Sequence, residues 1–208
     1  MITRMSALAA LVCFALTGPA LAQETATEET AETTEETGTV STAEGDLNLG
    51  EDTSVPQVGQ TYVREVEQDW EIQCVRTEDG ENEPCQMYQL LTNEAGNPVA
   101  EVSLFKLPSG GQAVAGATVI VPLETALQAQ LRIAVDGAQS KRYPYSLCNQ
   151  IGCFARIGLT NSDLNGFKRG AKAVVTIVPF VAQDQKIELE MSLKGFTASY
   201  DKTTVAAQ

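Results

Sequence analysis

The chain has 208 residues, with 27 acidic side chains against 14 lysines and arginines, no histidine, five cysteines and a net charge of -13. This length usually makes one domain, or one domain plus a tail, and 43% hydrophobic residues are enough for a core. The acidic balance argues against nucleic-acid binding, and the missing histidine removes Ser-His-Asp and Cys-His nucleophiles, histidine-ligated zinc and a histidine pH switch.

Residues 1–22 have the layout of a secretory signal: Arg4, an apolar run over 7–16, and Ala20-Leu21-Ala22 before Gln23. The expected cleavage follows Ala22. The apolar run is too short to span a bilayer, so the mature chain is expected to carry no transmembrane segment. Cys13 would leave with the peptide, and four cysteines, an even number, would remain. Residues 23–59 read as a disordered acidic linker rich in Thr and Glu. Ten acidic and no basic residues lie between 23 and 52, with almost nothing to bury. As a flexible coil such a linker reaches about 35 Å. Residues 53–208 keep 17 acidic and 13 basic residues, a net of -4, so the domain itself is close to ordinary.

From residue 60 the pattern is all-β, with short runs of Val, Ile, Tyr and Phe separated by Gly, Pro, Asn and Asp. Strands are expected over 60–66, 69–76, 84–92, 99–107, 113–121, 131–135, 141–146, 154–159, 173–180 and 186–193. About ten strands in about 150 residues suggest a β-sandwich occupying 60–208. Ile187, Leu189, Met191 and Leu193 alternate with polar neighbours, as in a half-buried strand. Val174-Val175-Thr176-Ile177-Val178 is nearly all apolar, as in a central one. One short helix is expected after Thr160, with Asp163 completing a capping box, Leu159 and Leu164 stapling it and Gly170 ending it. Lys168, Arg169 and Lys172 at its end complement the helix dipole.

In an exported chain, four cysteines indicate two disulfides rather than a metal site. A hairpin turning at Asp79-Gly80 puts Cys74 directly opposite Cys85, and Cys148 and Cys153 flank a four-residue loop. Crossed pairing between the two clusters is the competing arrangement. Neither pair has the C-x-x-C spacing of zinc ribbons or thiol oxidoreductases, and no metal or cofactor is expected. Ser109 lies in a turn without a nucleophile elbow. Glu188 and Glu190 fit a solvated strand face, and Trp70 shares a core face with Ile72 and Cys74.

Four pieces together resemble the invasion-associated locus B (IalB) family of exported Gram-negative proteins. They are Trp70-Glu71-Ile72-Gln73-Cys74, Cys85-Gln86-Met87-Tyr88-Gln89, Cys148-Asn149-Gln150-Ile151-Gly152-Cys153, and Leu193-Lys194-Gly195-Phe196 followed by Tyr200-Asp201-Lys202. The resemblance implies a periplasmic or secreted protein with an immunoglobulin-like β-sandwich and no established enzymatic activity. The long Thr/Glu tail departs from the family's usual short leader. The expected function is non-enzymatic, a module that binds an envelope or surface protein through loops at 77–83, 93–98 and 149–152. The alternatives are a carrier of a small apolar ligand, or an enzyme whose site has no recognisable motif.

Overall fold

In the computed structural model, Gly50 and residues 55–206 are described. The signal peptide, Cys13 and most of the expected acidic linker lie outside the described residues. Alternating burial runs through the strands from the start. In β2 (Trp70–Val75) Trp70, Ile72 and Cys74 are buried and the residues between them half-buried, the period-two pattern of a sheet with one face on a core. The same alternation continues through β3 (Cys85–Thr92), β4 (Pro98–Lys106), β5 (Ala115–Val121) and β9 (Cys153–Leu159).

With β1 (Thr61–Glu67) and β8 (Leu147–Cys148), these strands make a seven-stranded sheet in the order β1-β2-β3-β4-β5-β9-β8. A second sheet of four strands runs β11 (Ile187–Ser192), β10 (Lys172–Ile177), β6 (Leu131–Val135), β7 (Lys141–Tyr143). Every named strand pair is antiparallel. The inner faces meet in one core: Ile72, Met87, Leu104 and Val119 from the larger sheet, Leu131, Val175, Leu189 and Met191 from the smaller. Burying each such side chain contributes about 1.5–3 kcal/mol.

A polar clasp ties the two sheets together. Gln89, buried on β3, donates from Nε2 to the carbonyls of Asp69 (2.9 Å) and Ser192 (3.2 Å) and accepts from the Ser192 amide (2.8 Å). The Trp70 indole donates to the same Ser192 carbonyl at 3.0 Å. Phe196 then packs edge-on to Trp70 and stacks with Phe167, both at 5.6 Å between ring centroids. Gly195 precedes Phe196 at φ +79°, and a Cβ there would lie 2.4 Å from the Glu67 carbonyl oxygen, so only glycine brings the helix this close to β1.

The helix α1 (Asn161–Arg169) forms as its capping box requires. The Thr160 hydroxyl accepts from the Asp163 amide, and Asp163 accepts from the Thr160 amide. Burial pushes the Asp163 carboxyl up, but hydrogen bonds from Lys141 and Thr160 outweigh it and leave its pKa below the usual 3.8. The expectation of one helix is corrected to two, because Phe196–Lys202 forms α2, burying Phe196, Ser199 and Tyr200 at helical spacing. Its C-terminal continuation inserts between β3 and β4. Thr204 exchanges backbone bonds with Cys85 and Lys106, and Ala206 donates to Lys106.

Two local expectations also change. Asp79-Gly80 does not close a two-residue turn: the strands end at Val75 and begin at Cys85, and the intervening loop is fixed by side chains. Thr77 donates to Asp79 and to the Glu81 carbonyl, and buried Glu83 holds Arg76 at 2.8 Å and the Tyr62 hydroxyl. The strand expected over 141–146 stops at Tyr143, where Pro144 offers no ladder N–H.

Two stability predictions follow from these contacts. Gln89→Leu leaves the Ser192 amide and the Asp69 carbonyl without this partner, so the urea midpoint falls by the equivalent of about 2 kcal/mol with an unchanged m-value. Asp163→Ala costs about 1 kcal/mol at pH 7. The folded carboxyl is held below its unfolded value, so its contribution is present above pH 3.8 and fades as pH falls through the lowered pKa. The cost of the substitution therefore shrinks at pH 3, which urea titrations at the two pH values measure.

Candidate interaction site at one end of the sheets

Each cysteine pair occupies directly opposed positions in an antiparallel ladder. Cys74 faces Cys85 and Cys148 faces Cys153, and each pair is joined by a disulfide with Cα atoms 4.1 and 4.0 Å apart respectively. Hairpin register therefore produces local rather than crossed bridging. Cys74 and Cys85 are buried, whereas Cys148 is exposed at the start of its loop.

The second bridge shapes a small protruding loop. Asn149 and Gly152 are joined by a backbone bond, and the Ile151 amide donates to the Asn149 side chain at 2.9 Å. A Cβ on Gly152 would lie 2.5 Å from the Val121 carbonyl oxygen, so glycine lets the loop lie against the end of β5. Ile151 beside it is 74% exposed. It overhangs a shallow cleft whose other walls include Leu90, Pro98, Val99, Ile120 and Pro122.

The neighbouring loops continue this apolar end. The Ala126 amide donates to the Val178 carbonyl (2.8 Å) and the Phe180 amide to the Glu124 carbonyl (2.7 Å), with a bridge between Thr125 and Pro179. Buried Thr125 donates its hydroxyl to the Pro122 carbonyl, which fixes the turn leading to the 3₁₀ segment Leu127–Ala129. Phe180 and Val181 are 63% and 84% exposed, and Leu123 and Leu127 also face solvent. Residues this exposed stand clear of the protein's own surface, and apolar side chains exposed on neighbouring loops are the kind of feature that marks interaction sites.

On the small sheet, one residue in from this end, Arg132 lies directly opposite Arg142. Like charges in that position repel. Among the described residues neither arginine forms an ion pair, and the Arg132 Nε is buried without a hydrogen-bond partner. Tyr145, between β7 and β8, has a buried hydroxyl without a partner, and burial pushes its pKa up to about 12.

Of the loops singled out by sequence, 93–98 and 149–152 converge at this end, while 77–83 lies at the opposite end of β3. The loops at 122–130 and 178–186 escaped sequence reading. The signal was Val178-Pro179-Phe180-Val181, an apolar run broken by a proline that cannot stay in a central strand. Glu188 and Glu190 are exposed, and Lys172 pairs with Glu190 at 2.8 Å. Among the described residues no group of three or more His, Cys, Asp or Glu side chains is placed to hold a metal ion.

An all-β domain with two cross-strand disulfides and an apolar loop end defines the class. Residues 70–204 match the family described as invasion associated locus B (IalB) protein, and the chain belongs to that family. It is not a known enzyme family. Among solved structures, the chain is similar to invasion associated protein B from Bartonella henselae, with a TM-score of 0.54 and 20% identity, covering 67% of this chain and 92% of that one. At that identity the likeness speaks for the fold. None of the curated proteins compared matches the chain.

Exposure decides the order in which the bridges open. Graded reduction followed by alkylation and mass spectrometry labels Cys148 and Cys153 before Cys74 and Cys85; labelling in the reverse order contradicts the assignment.

Proposed function

We propose that the protein is a non-enzymatic binding module of the cell envelope. It is exported by the signal at 1–22, cleaved after Ala22, and works in the periplasm or outside the cell. The acidic segment 23–59 forms a flexible leader to an immunoglobulin-like sandwich at 60–208. The observation that carries this reading is the cluster of exposed apolar side chains at one end, Leu123, Ile151, Phe180 and Val181, which folding leaves uncovered. Two disulfides suit an oxidising compartment, and family membership agrees with an extracytoplasmic site. Among the described residues no helix is long and apolar enough to cross a membrane, so envelope association rests on surface contact.

Envelope extract passed over the immobilised full chain tests the proposal. A component retained by the wild-type chain is lost with Ile151→Ser combined with Phe180→Ser, while Gln150→Ala, on the same loop, retains it. Equal retention by all three chains contradicts the assignment of the loop end.

A further inference from the structure

The loop end combines protruding apolar side chains with a pair of cations that form no ion pair among the described residues. Ile151, Phe180 and Val181 project from loops anchored on β5, β9 and β10, and Leu123 and Leu127 are exposed on the loop that follows β5. A partner protein's pocket would have to receive several separate tips at once, whereas the interior of a bilayer accepts apolar tips without a matching shape. The arginines supply the second element. Arg132 and Arg142 face each other across β6 and β7, and the outermost pair of that ladder, Leu131 with Tyr143, separates them from the loop end by about 3 Å. Two arginines at directly opposed ladder positions suit a phosphate, which accepts from both and relieves their repulsion.

We infer that this end docks on a phospholipid surface, with the apolar tips entering the headgroup and acyl boundary and Arg132 and Arg142 engaging lipid phosphates. The inference rests on the proposed envelope-binding role and names the partner for the same end. The preferred surface is zwitterionic. The chain's net charge of -13 is repelled by an anionic leaflet, and Glu124 and Asp184 in the same loops add to that repulsion. A zwitterionic headgroup offers the phosphate without the opposing field. Attachment of this kind is peripheral and reversible, since a few side chains bury far less apolar surface than a spanning helix.

The experiment is flotation of the purified full chain with vesicles of phosphatidylethanolamine and phosphatidylcholine, against the same vesicles containing phosphatidylglycerol. The wild-type chain floats with the zwitterionic vesicles, and less of it floats as phosphatidylglycerol increases. Phe180→Ser with Val181→Ser lowers the partition coefficient about tenfold or more. Arg132→Gln with Arg142→Gln lowers it by a smaller factor and leaves the apolar contribution in place. Both double variants keep wild-type thermal unfolding and both disulfides, which separates lost docking from lost folding. The inference is overturned if the wild-type chain stays with the aqueous phase at millimolar lipid, or if the Phe180 and Val181 variant floats as well as wild type. It is also overturned if those residues instead hold a second copy or an extract protein while vesicles capture nothing. That last result leaves the binding role standing.

Discussion

The two sheets depend on one buried polar contact at their junction. Gln89 and the Trp70 indole both converge on Ser192, so three hydrogen bonds fix β11 against β2 and β3 in a single register. A slip of one residue turns every inward side chain of a strand outward, so this contact decides which residues reach the core. With it in place, Leu189 and Met191 point inward and Glu188 and Glu190 outward. Phe196 closes the remaining gap beside Trp70 and brings α2 and the C-terminal segment with it.

The loop end inherits its geometry from that register. Because the strands are antiparallel, the turns after β3, β5 and β10 and the loop before β9 all emerge on one side. Backbone bonds between 124–126 and 178–180, together with the Cys148–Cys153 bridge, then hold those loops in fixed positions. Loops held this way lose little conformational entropy on binding, so exposed apolar groups on them contribute more of their transfer energy to affinity. The opposite end is built differently. There the buried Glu83 carboxylate, Arg76 and the Tyr62 hydroxyl close the 76–84 loop on itself.

Most of the strands were legible because their side chains alternate. Residues 131–135 match in sequence and structure alike, since Gln130 takes a positive φ before the strand and Asp136 and Gly137 take positive φ after it. The helix at 161–169 was equally plain from Thr160, Asp163 and Gly170. What sequence could not reveal was how strands from distant parts of the chain share an end. Phe180 read as the last residue of a strand, yet Pro179 turns it out of the sheet and into solvent. The second helix was hidden by its length and composition, with Thr, Ser and Asp among seven residues and most of its stability drawn from Phe196 and Tyr200 in the core. The disulfides were legible from register, although the turn drawn to justify the first pair is absent. The arginine pair was invisible, because cross-strand opposition is a property of the sheet and not of either segment.

The central claim is that contact with the envelope is made by this end and by no other face. Hydrogen–deuterium exchange of the full chain with and without envelope vesicles tests it most directly. The account predicts slower exchange confined to peptides covering 120–132, 142–153 and 178–186, with β1 and the outward face of the seven-stranded sheet unchanged. Protection centred on β1 or on that outward face, with the three loop peptides unaffected, would contradict it.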